Sequence, residues 1–156
     1  VRQPPLVIVD SRLQTPPDAR LFEIERPVWI YAAERDDDKA RALEARGATV
    51  HCLANADGKV DLAALLGDLA RREVNELHVE AGHKLNGSLM REGLVDEILL
   101  YLAPKFIGDG LGIASRPYAG GALSALTEVM ALEFTSFDAV GPHLRVVGPG
   151  ARPGQI

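Results

Sequence analysis

Apolar residues run along this chain in two rhythms. Leu6-Val7-Ile8-Val9 is a continuous run rich in β-branched residues, the mark of a buried parallel strand. Val28-Trp29-Ile30-Tyr31-Ala32-Ala33 and Thr49-Val50-His51-Cys52-Leu53 read the same way. Between them the rhythm turns helical. One helix opens at Asp36-Asp37-Asp38, with acidic residues at its positive end, runs to about Arg46 and stops at Gly47. A second is capped by Asp61 and repeats Leu62, Leu65, Leu66 and Leu69 at i, i+3, i+4, i+7. Leu77-His78-Val79-Glu80 then reads as a short strand ending in a carboxylate, and Gly82 leads into a third helix that ends at Gly93. Alternating strands and helices predict right-handed βαβ units and a mainly parallel sheet.

The C-terminal third changes character. A long apolar strand is predicted from Asp96 to Ile107, and Pro104 places its end at an edge or bulge, because proline cannot donate to a ladder. Residues 108–126 are rich in Gly, Ala and Ser and read as a surface loop. Ala131–Val140 and Leu144–Val147, joined by Gly141-Pro142, read as a hairpin, with a bulge where the apolar phase slips between Phe134 and Phe137. The expected architecture is α/β: a mainly parallel central sheet flanked by helices, with a C-terminal antiparallel hairpin. It forms one domain over residues 1–148, and residues 149–156 are a frayed tail.

Composition removes several function classes. The formal net charge of the 156 residues is -5, with no Lys/Arg stripe, which argues against nucleic acid or an anionic membrane as partner. No apolar run reaches membrane-spanning length, and the first residues hold no signal-peptide core. Absence of an initiator Met points to a fragment or a processed chain. Cys52 is the only cysteine, which excludes an internal disulfide and fits a reducing cytoplasm.

The chemistry concentrates between Glu80 and Ser88. The first N–H groups of a helix lack internal partners and the helix dipole favours negative charge there, so a glycine turn into a helix is an anion site. A carboxylate just before that turn accepts hydrogen bonds from sugar hydroxyls or a heterocycle. This pattern fits a phosphorylated or dinucleotide ligand beside a polar substrate. Plainer readings stand beside it. Glu80 is also a strand-end carboxylate of the kind satisfied by neighbouring backbone. Gly82 and Gly87 also serve close packing of helix on sheet, Ser11 a turn after a strand, and Arg12 solvent. His78 shares the face of Glu80 by strand alternation and is expected in the core. His51 and His143 lack metal-ligand spacing, and no metal site is expected.

Three motifs in register carry a family resemblance. Val7–Pro16 reads Val-Ile-Val-Asp-Ser-Arg-Leu-Gln-Thr-Pro. Val79–Leu89 reads Val-Glu-Ala-Gly and then Leu-x-Gly-Ser-Leu. Gly93–Lys105 holds Gly-Leu-Val-Asp-Glu and Tyr-Leu-Ala-Pro-Lys. From about Leu6 to Gly148 the chain resembles the reductase domain of the bacterial riboflavin-biosynthesis deaminase/reductase, which has a dihydrofolate-reductase-like fold. The resemblance implies NADPH-dependent reduction of 5-amino-6-(5-phosphoribosylamino)uracil to its ribitylamino product, in a cytoplasmic homodimer. It places Glu80 at a substrate-binding position. It assigns Gly82, His83, Lys84, Leu85, Asn86, Gly87 and Ser88, together with Ser11, to the cofactor, and assigns no catalytic residue.

His83-Lys84 departs from the Pro-Thr usual in the family. The family's domain also starts upstream of Val1, so part of the site is expected to be missing and the chain alone is expected to be inactive. One cysteine cannot supply the His/Cys/Cys zinc set of the fused deaminase. The other readings are a reductase of the same fold for another pterin or pyrimidine, and a non-catalytic fragment for nucleotide binding or dimerisation. Fold alone does not choose between them.

Overall fold

The structure is a computed structural model that describes residues 3–110, 112–114 and 132–150. The chain divides into two units, Val1–Leu77 and His78–Ile156. In the first, β1 (Leu6–Val9), β2 (Val28–Ala32) and β3 (Ala48–Cys52) form a parallel sheet in the order β1-β2-β3. The three β-rich runs therefore pair as their composition predicts. α1 (Asp37–Glu44) connects β2 to β3, and α2 (Leu62–Arg71) follows β3. Asp36 caps α1, accepting a hydrogen bond from the Lys39 N–H, and Asp61 caps α2 through Ala64. Gly47, just past α1, has a φ of +89°, which only glycine adopts without penalty.

One sheet face carries a contiguous core cluster. Leu6, Val28 and Ala48 lie in one row across the strands, and Ile8, Ile30 and Val50 in the next. Leu13, Ala40 and Leu43 pack on them, with Leu21 and Phe22 from a short 3-10 turn, Arg20–Glu23. Leu43 is fully buried, which contributes about 1.5–3 kcal/mol for a side chain of this kind.

The opposite face buries Tyr31, α2 buries Leu62, Leu65 and Leu69, and a polar network ties the two together. Tyr31 Oη donates to Asp68 Oδ2 at 2.7 Å, tying β2 to α2. The same carboxylate accepts from Arg72 Nε at 2.8 Å and from Arg71 at 3.2 Å. Arg72 also donates to His51 Nε2 at 3.2 Å and stacks 5.1 Å from the Trp29 ring centroid. Burial, then the Asp68 carboxylate, pushes the Tyr31 phenol up to about 12. Hydrogen bonds from Tyr31 and Arg72 hold Asp68 far below the usual carboxylate range.

These shifts fix a pH dependence. The stability from Asp68 is complete above the unfolded carboxylate value of about 3.9 and is lost as pH falls below it. The stability from Tyr31 is complete below the unfolded phenol value of about 10 and is lost as pH rises through the folded value. Denaturation midpoints should therefore be flat across neutrality and fall at both ends. Tyr31→Phe should cost about 2 kcal/mol near neutrality, the usual worth of a hydrogen bond to a charged group. An unchanged urea midpoint in that variant would contradict the role given to this bond.

In the second unit, α3 (His83–Arg91) precedes an antiparallel sheet of β4 (Glu97–Leu102), β6 (His143–Pro149) and β5 (Ser136–Val140), in the order β4-β6-β5. α3 stops where Gly93 turns to a φ of +66°. Gly93 N–H bonds back to Met90 O and Leu94 N–H to Leu89 O, the paired bonds that close a helix at a glycine.

The structure corrects three expectations. Leu77–Glu80 is not a strand: residues 74–82 have no ladder partner among the described residues. Apolar/polar alternation reports extended backbone, and only a neighbouring strand makes it a ladder. The long strand is shorter than Asp96–Ile107: β4 ends at Leu102, ahead of Pro104, and its partner is β6 of the hairpin. The bulge expected between Phe134 and Phe137 does not lie within β5, whose register on β6 is continuous from Ser136 to Val140. Just before β5, the N–H and hydroxyl of Thr135 both donate to Val147 O. The expected loop at 108–126 is described only at 108–110 and 112–114. Its remainder, Ala131 and tail residues 151–156 lie outside the described residues.

Candidate functional site

In the first unit the residues after β1 form a fully determined loop. Asp10 Oδ2 accepts from both the N–H and the hydroxyl of Thr15, each at 2.7 Å. Burial pushes the Asp10 carboxyl up, but hydrogen bonds from Gln14 and Thr15 outweigh it and hold the group below its ordinary value. Leu13 is buried with a φ of +51°, a left-handed conformation that costs a bulky residue of order 1–3 kcal/mol and that its surroundings must impose. Ser11 sits inside this loop. Its carbonyl accepts from the N–H groups of Ala33 and Glu34 at 3.1 and 2.9 Å, and its Oγ accepts from Val60 N–H at 3.4 Å. Arg12 is not simply solvated: its guanidinium lies 3.5 Å from Glu34. Ser11 thus stands at the carboxyl-terminal edge of a parallel sheet, where open α/β sheets take their ligands.

The second unit holds the rest of the predicted site. Glu80 is exposed on the extended segment before α3, with Oε1 3.4 Å from His78 Nε2. His78 is itself 68% exposed, which corrects the expectation of a core residue. Without a ladder or a covering element, strand alternation does not bury a side chain.

Gly82 caps α3 with a φ of -72° and provides no side-chain hydrogen bond, and the first turn of α3 has no acidic residue. A Cβ built at Gly82 would meet nothing within 4 Å. Close helix–sheet packing therefore does not explain this glycine; what it leaves is room at the helix opening. Lys84 is exposed at that opening and Leu85 is half-buried. Gly87, one turn in, is buried, as a packing glycine is. Ser88 Oγ accepts from Arg91 at 3.1 Å. Asn86 donates through Nδ2 to Ala81 O at 3.2 Å and to Ile113 O at 3.0 Å.

The structure thus gathers Glu80 and 82–88 on one continuous turn and helix, and leaves Ser11 in the other unit. Sequence reasoning missed the Asp10–Thr15 latch, whose only signal is two polar residues at a spacing of five. It also missed the Asn86–Ile113 bond, which no local pattern announces. No group of three or more His, Cys, Asp or Glu suited to a metal occurs among the described residues.

The chain is similar to known proteins. The chain is 30% identical over 151 residues to riboflavin biosynthesis protein RibD of Escherichia coli, covering 95% of this chain and 39% of that protein. It is 25% identical over 146 residues to the 5-amino-6-(5-phosphoribosylamino)uracil reductase of Buchnera aphidicola, covering 94% of this chain and 67% of that protein. Among solved structures, a deaminase/5-amino-6-(5-phosphoribosylamino)uracil reductase from Thermotoga maritima matches with a TM-score of 0.73 at 18% identity, covering 96% of this chain and 38% of that one. The chain spans under two fifths of the length of the RibD proteins of Escherichia coli, Haemophilus influenzae and Bacillus amyloliquefaciens. Residues 1–146 match the family described as the RibD C-terminal domain, and the chain belongs to that family.

Proposed function

We propose that this chain is the reductase part of a riboflavin-biosynthesis enzyme, reducing 5-amino-6-(5-phosphoribosylamino)uracil with NADPH. One observation carries the reading: an exposed carboxylate, Glu80, stands two residues before a glycine-opened helix whose N-cap has no atom within 4 Å of where a Cβ would stand. When bound, the nicotinamide cofactor supplies the hydride. The overall change forms a C1′–H bond, breaks the C1′–O4′ bond of the ribosyl ring and leaves O4′ as a hydroxyl after protonation. The chain's own residues bind and orient. The N–H groups and dipole at the opening of α3 receive cofactor phosphate, and Lys84 adds a positive charge beside it. Ser11, fixed by the loop after β1, presents a further polar contact. Glu80 accepts hydrogen bonds from the hydroxyls of the substrate's sugar.

The same reading makes the enzyme a cytoplasmic homodimer. The antiparallel sheet leaves Leu102, Phe137 and Leu144, which share one face by the strand register, between 40% and 62% exposed, an apolar surface that a second copy would cover. The exposed thiol of Cys52 suits a reducing compartment.

Nicotinamide absorbance tests the function directly, using the full-length polypeptide. It should oxidise NADPH in the presence of the deaminated phosphoribosylamino pyrimidine, and NADH much more slowly. Equal rates with both cofactors would remove the phosphate-specific part of the proposal. Oxidation driven by a pterin instead would assign a different substrate.

A further inference from the structure

We infer that Asn86 is a positioning residue that staples the glycine-rich loop around Ile113 to the opening of α3, and does not itself hold the cofactor. The inference rests on the reading of that helix opening as the cofactor site. Asn86 stands in the fourth position of α3, where asparagine is a poor helix former. Its side-chain amide has two N–H donors and both are spent. One goes to Ala81 O at 3.2 Å, in the peptide between Ala81 and Gly82. The other goes to Ile113 O at 3.0 Å, 27 residues further on. Both partners are carbonyl oxygens, so the NH2 end, and not the oxygen, must face them.

One side chain thus joins three pieces of chain: the segment carrying Glu80, the first turns of α3, and the loop after Pro104. The loop needs such a tether. Gly108 has a φ of +81°, and a Cβ at Gly108 or Gly110 would meet nothing within 4 Å. Phe106, Ile107 and Ile113 are all strongly exposed, so apolar packing does not anchor them. With the bond in place, the Ile113 carbonyl is held over the same helix turn that opens at Gly82, and the loop becomes a wall of the ligand space.

The test separates a staple from a direct contact. Asn86→Leu keeps the size of the side chain and removes both donors; Asn86→Ala, a better helix former, guards against a packing artefact. Amide hydrogen exchange at Gly112–Ala114 is followed without cofactor in the full-length polypeptide. Both variants should exchange about tenfold faster there than the parent, the ratio expected for roughly one net hydrogen bond. KM for NADPH should rise by about the same factor, with kcat changed less than about twofold, because ordering the wall costs binding and not chemistry. Unchanged exchange with a raised KM would overturn the inference and make Asn86 a direct cofactor contact. Faster exchange with an unchanged KM would show that the staple does not serve the site. If the parent itself fails to use NADPH, the functional reading falls, while the exchange result still decides whether the staple exists.

Discussion

Gly82→Asp should abolish useful NADPH binding while leaving the fold intact or slightly firmer. The two effects have opposite signs because they arise from the same place. Gly82 is the N-cap of α3, its φ is -72°, and a side chain there would enter open space. Aspartate is among the best N-cap residues, and glycine lags it by only a few tenths of a kcal/mol, so the helix should lose nothing. The same carboxylate would then occupy the ends of the N–H groups assigned to cofactor phosphate and place a negative charge against it. Like charges a few ångströms apart near a surface repel by about 4 kcal/mol before salt screening, so a loss of affinity of at least about a hundredfold is expected. Thermal unfolding and cofactor titration of the same sample read both effects. Retained affinity would mean that the phosphates do not sit at this helix opening.

Glu80→Gln should produce the complementary defect. The side chain is 85% exposed and its one described partner is His78, itself 68% exposed, so the substitution removes charge without disturbing any packing. A hydrogen bond to a charged group is worth about 1.5–3 kcal/mol, which corresponds to a fall of about tenfold to a hundredfold in turnover of the phosphoribosylamino substrate. NADPH affinity should stay within about twofold, because Glu80 precedes the helix opening and is not part of it. Loss of cofactor binding with normal substrate affinity would reverse the assignment of the two ligands. Together the two variants divide the segment into a substrate half before Gly82 and a cofactor half after it.

Much of this architecture is legible before any coordinates, and the parts that are not share a cause. The parallel sheet, both its helices and their caps follow from local rules. A β-branched run, a helical leucine stripe, an aspartate at each N-cap and a glycine at Gly47 each act within a few residues. Leu77–Glu80 fails because its alternation specifies an extended backbone and says nothing of a neighbour to complete a ladder. The same gap explains His78: burial depends on what covers a side chain, and alternation names only the side it leaves from. β4 was legible as a strand but not as the partner of β6, since pairing across more than forty residues leaves no local trace.

At the site, the turn from Glu80 through Gly82 was readable because anion sites at helix openings are built from consecutive residues. The Asp10–Thr15 latch and the strained Leu13 that fix Ser11 were not, because they express the geometry of a loop and not a periodicity. Asn86 was readable only as one member of a contiguous segment. Its bond to Ile113 depends on a chain return 27 residues away.

The central claim is that the turn from Glu80 into α3 is where the cofactor phosphates rest. Amide hydrogen exchange of the full-length polypeptide, with and without saturating NADPH, tests it most directly. The account predicts slowed exchange at the amides of residues 83–85, with a weaker effect around Ser11. Protection confined to other parts of the chain, or none at saturation, would contradict it.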